Sequence, residues 1–140
     1  MASQTQPGVL AGRRLNQVVA GAFGAVFVIV GLLGFTVSGG HQIAGHDGGQ
    51  LLGLFGVNVL HNLVHLAIGA VLVAAAVAGV QAARSVNAVI GATYLLLGVV
   101  GLFITGGNPA NIIAINGADN ALHLVLGAIL LGAGLGADRR

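Results

Sequence analysis

The stretch Asn58-Val-Leu-His61-Asn62-Leu-Val-His65-Leu-Ala-Ile-Gly69-Ala70 decides how this chain is read. It sets two histidines and two asparagines in an otherwise apolar run. Three- and four-residue spacing places Asn58, His61, Asn62, His65 and Gly69 on one helix face. The pattern returns 58 residues later as Asn116-Gly-Ala-Asp119-Asn120-Ala-Leu-His123-Leu-Val-Leu-Gly127-Ala128. Asn, Asn, His, Leu, Gly and Ala match position for position, and His61 becomes Asp119. Asn58 and Asn116 read as helix N-caps, with His61 and Asp119 at the N3 position.

Outward from that stretch, the match extends to the segments before it. Gly24, Gly31, Gly34, Gly39 and Gly40 correspond to Gly91, Gly98, Gly101, Gly106 and Gly107 at an offset of 67, and Phe27 pairs with Tyr94. The two offsets differ by nine residues. The first long connection is longer by that amount and holds His41, His46 and Asp47, which have no counterparts. The chain therefore reads as two tandem helical hairpins. A two-span unit keeps its orientation when duplicated, so the expected pseudo-twofold axis lies along a membrane normal.

Composition identifies the solvent. Of 140 residues, 56% are hydrophobic and 6% charged, and the mean hydropathy is +1.00. A soluble domain carries about a quarter of its residues as charges. A lipid bilayer is the expected partner for so apolar a chain. Four runs are long enough to cross about 30 Å of hydrocarbon: Val18–Val37, Asn58–Gly79, Val86–Ile104 and Ala118–Gly136. The expected fold is all-α, an integral membrane four-helix bundle. Its parts are a flexible tail (1–16), a first hairpin (17–80), a connection (81–85), a second hairpin (86–136) and a C-terminus (137–140). Arg13-Arg14 followed by an apolar run also resembles a secretory leader, but the run exceeds a usual h-region and matches a later span.

Charge sets an expected topology. The arginines are Arg13, Arg14, Arg84, Arg139 and Arg140, at the two ends and in the second connection. Four spans put those three regions on one side, and the positive-inside rule makes that side cytoplasmic. The expected location is the cell membrane, multi-pass, with both termini cytoplasmic. There is no cysteine, so thiolate ligands and disulfides are excluded. Nucleic-acid binding is unsupported, since no basic patch is interleaved with aromatics. Three acids and few serines build no paired-carboxylate or serine-histidine-acid arrangement.

Two residue sets remain. Ala70, Ala74 and Ala78, with Ala128, Gly132 and Gly136 at the same offset, form small-residue stripes. Together with Gly69 and Gly127 they are candidates for close helix packing. The second set is the duplicated polar face. His65 and His123 lie about 10 Å below their caps, a depth at which polar groups face the bundle interior. As inter-helix hydrogen-bonding groups they would join the second span to the fourth. As ligands, His61, His65, Asp119 and His123 would supply three imidazoles and one carboxylate to a divalent metal. His65 and His123 alone would suit a haem. Asn58, Asn62, Asn116 and Asn120 support this face. Ion or proton passage and pH sensing are further readings. No cofactor is required by any motif. The leading expectation is a non-enzymatic structural or accessory membrane protein, a subunit of a membrane complex or a homo-oligomer.

Gly56-Val-Asn58-x-x-His61-Asn62-x-x-His65-Leu-x-x-Gly69, and again Ala118-Asp119-Asn120-x-Leu-His123-Leu-x-x-Gly127, resembles a family of small bacterial membrane proteins catalogued as domain of unknown function 4383. The resemblance covers nearly all of the chain after the tail. It implies a four-span integral membrane protein and brings no activity, substrate or catalytic residue.

Overall fold

A computed structural model describes residues 15–139. Four long helices carry the fold: α1 (Leu15–Gly34), α2 (Val59–Ala78), α3 (Val80–Ile104) and α4 (Gly117–Gly136). Each is long and apolar enough to cross a membrane, with mean hydropathies of 2.2, 2.0, 2.0 and 1.5 in chain order. Their outer faces are as apolar as their inner ones. Val77 and Phe103 are 83% and 78% exposed, and Ile29, Leu32, Val89, Leu96 and Val125 also point outward. Water would penalise that surface at about 25 cal/mol per Å2, whereas lipid does not. The protein is a multi-pass membrane protein whose helices contact lipid.

The helices pack in pairs, α1 on α2 and α3 on α4. Glycine permits the closest approaches. A Cβ placed on Gly69 would lie 2.8 Å from the Gly24 carbonyl oxygen, and one on Gly127 would lie 2.9 Å from that of Gly91. Lipid provides no hydrophobic drive between helices, so such backbone contact supplies the dispersion energy that pairs them. Further along, a Cβ on Gly34 would collide with the Asn62 side chain, and one on Gly101 with that of Asn120. The core between the pairs is Ala20, Phe27, Leu72, Ala83, Tyr94 and Leu130.

Several expectations need correction. The small-residue stripes Ala70, Ala74, Ala78 and Ala128, Gly132, Gly136 are exposed and lie outside the intrachain contact. The buried positions are one step round the helix: Gly69, Leu72 and Ala75 on α2, and Gly127, Leu130 and Gly134 on α4. Three- and four-residue spacing defines adjacent faces equally well, and Leu72 and Leu130, being large, do not mark a small-residue stripe. The segment 81–85 is the first turn and a half of α3, because the break is confined to Gly79, whose φ of +128° suits glycine. The expected tail lies outside the described residues up to residue 14, while Leu15 and Asn16 already belong to α1. The fold is not purely helical either. A short antiparallel ribbon, β1 (Gly49–Leu51) and β2 (Phe55–Val57), pairs Gly49 with Val57 and Leu51 with Phe55.

Each end of the bundle is tied by polar contacts. At one end Asp138 Oδ2 accepts from the Asn16 amide at 2.9 Å and from Asn16 Nδ2 at 2.8 Å. It caps the start of α1, which has no acid in its own first turn. Asn87 Nδ2 donates to Asn16 Oδ1 at 2.9 Å, linking α3 to the same point. At the other end the two long connections interlock. The Gly45 amide donates to the Ile112 carbonyl at 2.8 Å, and Asn58 Nδ2 donates to the carbonyls of Gly45 and Ile112, both at 2.9 Å.

Candidate metal centre

The caps position the polar face. Asn58 is extended (φ −124°), and its Oδ1 accepts from the His61 amide at 2.9 Å. Asn116 is extended (φ −126°), and its Oδ1 accepts from the Asp119 amide at 3.0 Å. Each cap satisfies one of the free N–H groups that begin a helix. Starting both helices at the same register carries His65 and His123 inward to matching depth.

Three histidines meet there. Ligand nitrogens of His61, His65 and His123 lie within 4.8 Å of one another. The His61 ring centroid is 4.4 Å from that of His65 and 6.0 Å from that of His123. Below them, Phe27 packs on His65 at 5.4 Å and Tyr94 on His123 at 5.0 Å, while Phe27 and Tyr94 touch each other at 5.2 Å. His61 and His123 are buried; His65 is less so, although its Nδ1 is buried.

Hydrogen bonding separates the three rings. The Gly56 carbonyl accepts from His61 Nδ1 at 3.0 Å. A carbonyl only accepts, so Nδ1 carries the proton and Nε2 keeps a lone pair. This is the arrangement that orients a ligating histidine. The Nδ1 atoms of His65 and His123 are buried with no hydrogen-bond partner among the described residues, as are Oδ1 of Asn62 and both amide atoms of Asn120. Leaving a polar group so costs about 1–3 kcal/mol. Asn62 Nδ2 does find Ser38 Oγ, at 3.2 Å.

Asp119 does not join the group of mutually close ligand atoms. Its Oδ2 turns back to accept from the Asn116 amide at 2.9 Å and the Gly56 amide at 2.8 Å. A carboxylate at N3 can close a capping box, whereas an imidazole there cannot accept in the same way. His41 and Asp47 meet at 3.1 Å on the exposed connection, away from the triad. Sequence reasoning missed Gly56, whose carbonyl and amide fix His61 and Asp119 together. Gly56 opens the motif that carries the family resemblance, but its place two residues before the Asn58 cap gives no sign of this role.

An ion bound at about 2 Å from each nitrogen would hold tetrahedral ligands about 3.3 Å apart, so binding would draw the rings together by up to about 1.5 Å. A porphyrin between His65 and His123 meets a different obstacle, since His61, Phe27 and Tyr94 all crowd the same two rings.

Residues 17–136 match the family described as Domain of unknown function (DUF4383). The chain belongs to the DUF4383 family. No curated protein and no solved structure matches it. The DUF4383 description assigns no activity, so the chemistry of the site rests on the three rings and their surroundings.

Proposed function

We propose that this DUF4383 protein is a metal-binding membrane protein in which His61, His65 and His123 hold one transition-metal ion. The observation that carries the reading is three imidazoles whose ligand nitrogens lie within 4.8 Å of one another, two of them with a buried Nδ1 that has no partner among the described residues. Neutral imidazoles suit Zn, Cu, Fe or Ni. The crowding by Phe27 and Tyr94 supports an ion over a haem, and the closed Asp119 capping box supports a three-histidine set. Purification without chelator, followed by elemental analysis, should give about one ion per chain, lost in His65→Ala with His123→Ala. Metal-free protein that also fails to take up added Zn(II) or Cu(II) would overturn the reading.

We further propose that the hairpins are tandem copies about a pseudo-twofold axis, with the arginine-bearing end and both termini cytoplasmic. Matched contacts at Gly24/Gly69 and Gly91/Gly127 and the charge distribution support this. Passage of ions or protons is less favoured, because apolar Ala20, Leu72 and Leu130 separate the histidines from the Asn16–Asn87 cluster. A second, non-enzymatic reading is an accessory subunit or homo-oligomer. Its support is the outward-facing stripe of Ala70, Ala74 and Ala78 with Ala128, Gly132 and Gly136. Cross-linking in native membranes that yields only monomer would remove that reading.

A further inference from the structure

The end of the bundle opposite the histidines carries a second unexplained constellation. Gln81, Arg84, Asp138 and Arg139 line an open cavity of about 650 Å3. Two guanidinium groups are held there by the same helix end. Arg84 Nε donates to the Gly134 carbonyl at 2.9 Å, and Arg139 Nε donates to that of Leu135. Basic side chains on the last carbonyls of a helix are ordinary caps. The caps account for one N–H of each guanidinium, which has five. The other four on each have no hydrogen-bond partner among the described residues.

Asp138 does not neutralise them. Its Oδ2 is occupied by Asn16, its Oδ1 is buried, and neither arginine has a carboxylate within 4.0 Å among the described residues. Two arginines lining one cavity, with unused donors and no ion-pair partner among the described residues, form a receptor for a multiply accepting anion such as phosphate. Position selects the carrier of that phosphate. The mouth lies at the end of helices of about 30 Å, the level of lipid headgroups, and the Gln81 amide adds a neutral donor for a headgroup hydroxyl or ester.

We propose that Arg84, Arg139 and Gln81 form a headgroup site for the phosphate of an anionic phospholipid. The site is independent of the histidine centre and stands or falls separately. The test is native mass spectrometry of the full chain released from bilayers of equal phosphatidylglycerol and phosphatidylcholine, alongside thermal unfolding in each lipid. Wild type should retain phosphatidylglycerol over phosphatidylcholine by about tenfold or more, given two arginines near a lipid surface, and should unfold at a higher temperature with it. Arg84→Gln with Arg139→Gln should lose the preference. Arg139→Gln alone, at an exposed position, should weaken it even if the double variant does not fold. Equal retention of both lipids by wild type, or an unchanged preference in the Arg139 variant, overturns the proposal. If inorganic phosphate alone gives the full stabilisation and the anionic lipid adds nothing, the anion is a soluble phosphate and the lipid assignment is wrong.

Discussion

The start of α2 and the start of α4 share a cap, a register and a pair of flanking residues, yet one N3 residue is His61 and the other Asp119. That difference changes what each helix start can do. Asp119 folds back on Asn116 and also grips the Gly56 amide, so it closes its own helix end. His61 cannot accept in that way; it donates from Nδ1 to the Gly56 carbonyl and keeps a lone pair on Nε2, in a ring packed near those of His65 and His123. The ribbon β1–β2 supplies Gly56 and occurs only in the first connection. A third imidazole and the strand that orients it thus belong to the same half of the molecule. Two similar hairpins therefore yield an asymmetric site with three nitrogens and no oxygen.

The comparison can be broken most severely where the two halves are alike. Gly24→Leu and Gly91→Leu each force a side chain into the backbone of the partner helix. Overpacking of this kind costs about 3 kcal/mol or more, and both variants should fail to give folded protein by circular dichroism and size exclusion. Next comes the difference itself. Asp119→Ala removes a capping box and a buried charge-assisted bond, an expected loss of about 2–3 kcal/mol, measurable by unfolding in mixed micelles. The same assay should show a smaller loss for His61→Ala. Conversely, His61→Asp should create a second capping box and weaken metal binding by about 10–100-fold or more, since even orienting partners of ligands contribute that much. Competition titration with a chromophoric chelator reads this directly. Smallest of all, Ala74→Leu and Gly132→Leu lie on the outward face and should change monomer stability by about 0.5 kcal/mol or less. A large change in oligomeric state from either would instead favour the subunit reading.

Much of this is legible in the sequence. The caps Asn58 and Asn116 announce themselves by spacing, and the apolar runs announce four membrane-length helices. His61, His65 and His123 could be placed on inward faces from their depth and register. The role of Asp119 could not, because the same residue suits a ligand and a capping box, and only its contact with the Gly56 amide distinguishes them. The stripe at Ala70 was misplaced by one helix position, since composition cannot tell a face that touches lipid from one that touches protein when both are apolar. The ribbon was hidden in Gly49–Val57, where glycines and an exposed Leu52 obscure any alternation. Asp138 capping α1 joins residues 122 apart, a separation at which no local pattern exists.

X-ray absorption spectroscopy of the Zn(II)-loaded full chain tests the three-histidine centre most directly, because it counts ligands by type and distance. Three imidazole nitrogens at about 2.0–2.1 Å are expected, falling to two in His61→Asp. A shell of oxygens, or a spectrum unchanged when His65 and His123 are both replaced by alanine, would contradict it.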